Sequence, residues 1–167
     1  MSIALREITA EDEAFLREVY ASTRALELSL VPWSIEQREA FLKFQFDAQH
    51  SHYRSQYPEA SYQIILSNTD RVGRFYVFRG ATEIKILDIT LLPEHRNAGI
   101  GTSLINDLLE EAGNPTRPVS IWVEQFNPSQ TLFQRLGFAT IQEDGYNHLM
   151  QWRPETQPSP MESSKSR

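Results

Sequence analysis

Residues 87–109 read LDITLLPEHRNAGIGTSLINDLL, in the order strand, glycine turn, helix. Leu104, Ile105, Leu108 and Leu109 recur at helical spacing, and the apolar run from Glu83 to Leu92 has strand character. Between them, His95-Arg96-Asn97-Ala98-Gly99-Ile100-Gly101 places two glycines and an arginine at the corner. The first turn of a helix leaves backbone N–H groups without partners, and the aligned peptide dipoles add partial positive charge there. Gly99 and Gly101 remove side chains where an anion would approach that backbone. Arg96 adds a charge-assisted contact, and Thr102 a hydroxyl. The same glycines equally suit a plain strand-to-helix corner. The spacing R-x-x-G-x-G matches neither the dinucleotide fingerprint nor the P-loop.

A second stretch, VEQFNPSQTLFQRLGF at residues 123–138, reads first as a helix with its signals in place. Asn127 suits the N-cap, Pro128 the first helical position and Gln130 the partner of the cap, together worth about 1 kcal/mol. Gly137 stops the helix after Leu136.

Working outward, residues 3–8 form a short strand, and Thr9 followed by Glu11, Asp12 and Glu13 opens a helix to about Ser22. Ser34-x-x-Gln37 is a capping box. It opens a second helix whose apolar residues Ile35, Ala40, Phe41, Leu42 and Phe44 run on toward Tyr57, with Pro58 closing the region. Runs 61–67, 72–79 and 83–92 are separated by short turns and predict an antiparallel meander. The alternating strand Pro118–Glu124 follows a helical crossover and so pairs in parallel with the strand before it. Residues 138–142 and 146–152 form a last pair around Asp144-Gly145. The expected fold is α/β (α+β), with a mixed, mostly antiparallel sheet of about seven strands and about four helices. One domain is expected over residues 1–153 and a disordered tail over 154–167.

Composition limits the chemistry. The 167-residue chain has no Cys, which excludes disulfides, a thiol nucleophile and zinc held by thiolates. A net charge of −6 argues against a partner bound through its phosphate backbone, so no nucleic acid is expected. The first residues show no secretory pattern, and no stretch approaches a membrane span. The expectation is a cytoplasmic protein without a membrane partner. His50 and His52 lack metal-ligand spacing, so no metal is expected.

Taken in order, the two motifs resemble the acetyl-CoA-binding core of the GNAT family of N-acetyltransferases. The resemblance covers residues 83–142 closely and, by element order, nearly the whole chain. It implies the GNAT fold, with the central parallel pair splayed at the cofactor. Arg96, Asn97, Ala98, Gly99, Ile100, Gly101 and Thr102 would cradle the diphosphate. The backbone of Leu91 and Leu92 would pair with the pantetheine arm as an added strand does, and Asn127 would face that arm. Asn97 stands where the family most often has Gly, and Asn is the ordinary residue best able to adopt a left-handed backbone. Phe133 stands where the family often has a Tyr that protonates the departing thiolate. By the resemblance its ring would pack beside the cofactor, but it has no proton to give.

The activity implied is acetyl transfer from acetyl-CoA to a primary amine of a small molecule or a protein. The alternative is a non-catalytic member that binds acyl-CoA or a protein partner. Without Cys or a Ser-His-Asp arrangement, the amine attacks the thioester directly. Asp88 and Glu124 are the candidate bases, although Asp88 also suits a buried cap or salt-bridge partner and Glu124 a solvated strand end. Tyr146 and His148 on the last hairpin are candidate proton donors or ordinary strand residues. Acceptor selection falls between the first helix and Pro58, where Trp33, Phe41, Phe44, Phe46, His50, His52, Tyr53 and Tyr57 read as core in preference to an acceptor pocket. The expected partners are acetyl-CoA, an amine acceptor that the sequence does not identify, and a second copy of the chain.

Overall fold

The computed structural model describes residues 2–154; beyond Pro154, the expected tail lies outside the described residues. Seven strands form one sheet: β1 (Ile3–Glu7), β2 (Ser61–Ser67), β3 (Asp70–Arg79), β4 (Ile84–Leu91), β5 (Val119–Glu124), β6 (Ala139–Asp144) and β7 (Asn147–Trp152). Their order is β1-β2-β3-β4-β5-β7-β6, antiparallel throughout except for the parallel pair β4–β5. Four α-helices cover it: α1 (Glu13–Ser29), α2 (Ile35–Gln56), α3 (Ile100–Ala112) and α4 (Ser129–Arg135).

Helix α1 runs seven residues past its expected end at Ser22. Nothing between Thr23 and Ser29 breaks a helix, and Leu28 is buried, so packing carries the segment on. Helix α2 starts as expected: the Ser34 hydroxyl accepts from the Gln37 N–H at 3.1 Å, and the Gln37 amide oxygen accepts from the Ser34 N–H at 2.8 Å. At the other end of the sheet, the buried Asp12 carboxylate accepts from the Thr9 N–H at 2.8 Å and is held by Arg6 and Arg71. That cluster ties β1, β3 and the start of α1 together.

The two sheet faces have separate cores. Phe15, Leu16, Val19, Tyr20 and Phe46 from α1 and α2 pack on Tyr62, Ile64 and Tyr76. Ile100, Leu104, Ile105 and Leu108 of α3 and Phe133 of α4 pack on Phe75, Val77, Ile86, Val119 and Ile121. Each buried aliphatic or aromatic side chain contributes about 1.5–3 kcal/mol, against about 0.3–1 kcal/mol for a charge at a helix terminus. Helix α3 is therefore anchored by its apolar face, which leaves its N-terminus available to something other than the fold.

Among the described residues, no helix is long and apolar enough to cross a membrane.

Candidate active site

Strands β4 and β5 pair at only three positions, Ile84 with Val119, Lys85 with Ser120 and Ile86 with Ile121. Beyond Ile86, β4 follows β3 to Leu91, whereas β5 follows β7 to Glu124, and the two diverge. The divergence starts at a bulge. Tyr76 pairs with Asp88 and Val77 with Ile86, leaving Leu87 unpaired, and the Tyr53 hydroxyl donates to the Leu87 carbonyl at 3.0 Å. A cleft of about 590 Å³ opens over the parted strands, lined from α1, α2, β3, β4, β5, β7 and α4.

After the bulge, the edge of β4 that faced β5 has no strand beside it. The Leu92 N–H donates to the Val72 carbonyl at 2.9 Å, so by antiparallel alternation Asp88, Thr90 and Leu92 turn their backbone groups toward β3. Ile89 and Leu91 turn theirs toward the cleft. This revises one expectation: Leu92 has its N–H engaged by Val72, its carbonyl by the His95 N–H at 2.9 Å, and its side chain buried. The Leu91 N–H has no acceptor among the described residues, while its carbonyl accepts from Arg96 Nε at 3.0 Å. The strand end is legible in the sequence, whereas the bulge that decides which residues face outward is not.

The glycine turn forms a run of unpartnered donors. Asn97 and Gly99 both take positive φ, 62° and 82°, and Gly99 caps α3. The N–H groups of Gly99, Ile100, Gly101 and Thr102 have no acceptor among the described residues, the first helix-type bond being from the Ser103 N–H to the Gly99 carbonyl at 3.0 Å. A Cβ on Gly99 would meet nothing within 4 Å, and one on Gly101 only Leu132 Cδ2 at 3.6 Å. The space above this turn is open, and its donors suit an anion such as a diphosphate. Arg96 sits beside the turn; Ala98 is exposed, and Ile100 is buried beneath.

Asn127 lies at the mouth of the same cleft, where its Oδ1 accepts from the Ser129 N–H at 2.9 Å and its N–H donates to the Glu124 carbonyl at 3.0 Å. Its amide nitrogen is left as a donor. Gln130 does not complete the expected cap. Its side chain reaches back to the carbonyls of Glu124 and Gln125, each at 2.8 Å, and fixes the turn after β5. Phe133 lines the cleft but is 1% exposed and packs edge-on against Phe138, 5.2 Å between centroids.

The two candidate carboxylates stand in different surroundings. Asp88, on the cleft floor, is ion-paired with Arg74 and accepts from the Thr90 hydroxyl at 2.7 Å. Glu124 is half exposed and paired with Arg24 of α1 at 3.0 Å. Burial opposes the Arg24 charge, but Tyr20 and Glu124 more than offset it and hold the guanidinium above its ordinary value. Tyr146 is 80% exposed in the β6–β7 turn and does not line the cleft, and His148 faces Glu143 at 4.0 Å.

The sequence did not point to the polar layer behind Asp88. Arg74 in β3 is buried, held by Asp88 and by Gln49 Oε1 at 2.8 Å. Tyr76 shares a 2.7 Å hydrogen bond with His50 Nε2. Burial, aided by Arg74 and Arg54, pushes the His50 imidazole down to about 4, so it is neutral at pH 7. Burial, together with Asp88, raises the Tyr53 and Tyr76 hydroxyls, which stay protonated. A charged residue inside a run of strand-formers gives no signal of its own burial; the pattern R-F-Y-V-F only marks Arg74 as sharing a face with Tyr76. The aromatic cluster divides as well: Phe46 is core, Tyr53 and Tyr57 line the cleft, and Phe44 is 69% exposed.

No curated protein sequence matches the chain. Among solved structures, it is similar to the PaiA N-acetyltransferase of Thermoplasma acidophilum in complex with coenzyme A. The two share 18% identity over 92% of this chain and 100% of that one, with a TM-score of 0.69. It is also similar to an acetyltransferase of Thermus thermophilus, at 15% identity over 92% and 98% of the two chains and a TM-score of 0.66. A GNAT family acetyltransferase of Elizabethkingia anophelis with acetyl-CoA bound gives 17% identity, 91% and 98% coverage and a TM-score of 0.55. At these identities the structural likeness establishes a shared fold alone. The family model described as Acetyltransferase (GNAT) family matches residues 24–138, more than half of the chain. With its R-x-x-G-x-G turn at the head of α3 and its parted parallel strands, the protein belongs to the GNAT acetyltransferase family.

Proposed function

We propose that the protein transfers an acetyl group from acetyl-CoA to a primary amine by direct attack. The observation that carries this reading is the continuity of the open β4 edge with the donor turn of α3: strand-like pairing groups lead directly into an anion site. Acetyl-CoA supplies the activated thioester. The N–H groups from Gly99 to Thr102, with Arg96, hold its diphosphate; Ile89 and Leu91 pair with its arm, and the Asn127 amide donates to it.

Asp88 is the proton acceptor in this reading, directly or through one water, because it lies on the cleft floor where the strands part. The new N–C bond forms as the C–S bond breaks, and Asp88 takes the proton that the amine loses. Phe133 donates none, so the departing sulfur takes its proton from water. Glu124 keeps Arg24 in place at the cleft mouth.

Calorimetric titration with acetyl-CoA tests the site. The expected result is saturable binding that Gly101→Glu weakens by at least about tenfold. No binding at millimolar acetyl-CoA contradicts the reading. Phe133 also favours a second reading, a member that binds acyl-CoA without turnover; binding with no amine-dependent thiol release would identify that case.

A further inference from the structure

The charges along the cleft are already matched. Each of its three carboxylates faces a cation: Asp88 with Arg74, Glu124 with Arg24 at 3.0 Å, and Glu83 with Lys85 at 3.6 Å. A simple cationic amine would find no unpaired negative charge there. The buried side-chain groups left unmatched in the cleft are donors. Arg74 is 1% exposed and lines the cleft, yet its Nε and Nη1 have no hydrogen-bond partner among the described residues. The guanidinium lies over the rings of Tyr76 and Tyr20, at 5.0 and 5.9 Å from their centroids, and its unmatched donors are the buried Nε and Nη1.

Gln49 adds to this set. Arginine has no acceptor, so the Gln49 atom bonded to Arg74 Nη2 at 2.8 Å is the amide oxygen, and the amide nitrogen keeps both its donors. Gln49 is half-buried and lines the same cleft, and its nitrogen has no acceptor among the described residues. Buried donors without acceptors are rare in native proteins, and these converge beside a carboxylate. That carboxylate, Asp88, retains 14% side-chain exposure and spare lone pairs toward the cleft.

We propose that the acceptor is an amino acid type of molecule, with its amine and a carboxylate only a few bonds apart. Its carboxylate is received by the Arg74 donors and the Gln49 amide, and its amine is brought to Asp88. This rests on the acetyl-transfer reading. An Arg–Asp pair with unmatched N–H groups on one partner and spare lone pairs on the other is the complement of a zwitterion, whereas it offers a bare amine only half a site.

The test uses matched acceptors, alanine with ethylamine and phenylalanine with phenethylamine, followed by thiol release from acetyl-CoA and compared per neutral amine. The amino acid of each pair is expected to have the higher kcat/KM, by at least about tenfold. Gln49→Leu, which leaves the Arg74–Asp88 pair intact, is expected to bring that ratio toward one by raising KM for the amino acid. Equal or better use of the decarboxylated partners, or an unchanged ratio in Gln49→Leu, overturns the inference while acetyl transfer stands. Turnover of none of the four, with acetyl-CoA bound, overturns this inference, and acetyl transfer itself falls only if a wider panel of primary amines yields no acetylated product either.

Discussion

Arg24 of α1 reaches Glu124, the last residue of β5, at 3.0 Å, three residues beyond the point where β4 and β5 stop pairing. The contact holds a helix over the opened end of the sheet and occupies one of the two carboxylates that a proton-transfer step could use. A half-exposed pair of this kind is worth about 0–1 kcal/mol, so its removal should be mild. Glu124→Gln is expected to shift Tm little and to lower kcat by less than about tenfold. Asp88→Asn is expected to lower kcat by about a hundredfold or more. Initial rates of thiol release from the two variants check this, and the reverse order would move the base to Glu124.

The two glycines of the turn make different demands. Gly99 has φ 82°, a conformation that L side chains rarely adopt, so Gly99→Ala should destabilise the protein by about 1 kcal/mol. Gly101 carries no such strain, and its open surroundings admit a Cβ. Gly101→Ala should therefore fold with nearly unchanged Tm, and Gly101→Glu should lose acetyl-CoA affinity without unfolding. Paired thermal melts and titrations separate the backbone role from the anion role. Equal losses of stability in both alanine variants would contradict it.

Phe133 is buried at the cleft wall against Phe138. Phe133→Tyr adds a proton donor at a ring that already lines the cleft, and kcat is expected to rise several-fold if protonation of the departing sulfur limits the rate. Unchanged kcat would show that water protonates the sulfur fast enough. A lower value with reduced Tm would show that the hydroxyl finds no partner in the core.

His50 gives stability a pH dependence of known sign. Its pKa in the folded protein, about 4, is below the unfolded value of 6.5, so between these values the unfolded chain binds more protons. Its contribution is complete above pH 6.5 and is lost as pH falls toward 4. Asp12 acts lower down: its bond to Arg6 holds the carboxyl below the usual range, and its contribution fades only as pH falls beneath the ordinary carboxylate value. Wild-type Tm should therefore drop between pH 6.5 and 4.5. His50→Gln, which keeps a partner for the Tyr76 hydroxyl, should flatten that drop. Parallel slopes in the two proteins would contradict the assignment.

Much of the architecture was legible because it depends on local signals. The meander, the crossover to β5 and the capped start of α2 follow from alternation, turn residues and the Ser34–Gln37 box. Asn97 and Gly99 do adopt the positive φ that the turn needed. What escaped depends on register and on depth. The unpaired Leu87 follows from a one-residue offset between β3 and β4 that no composition signals, and it exchanges Leu92 for Ile89 among the residues facing the cleft. Arg74 reads as an ordinary strand position until α2 brings Gln49 and His50 over it. The run of α1 past Ser22 was hidden because Ser22 and Thr23 look like an end, although their hydroxyls only fold back onto the carbonyls of Val19 and Tyr20.

The central claim is that the open edge of β4 and the turn at Arg96–Thr102 present acetyl-CoA to an amine. Its most direct test is mass-spectrometric detection of acetylated amine together with free CoA, after incubating the protein with acetyl-CoA and a panel of primary amines. At least one amine is expected to yield both products in equal amounts, and Gly101→Glu is expected to suppress both together. Release of CoA without acetylated amine, or acetylated amine that Gly101→Glu leaves unchanged, would contradict it.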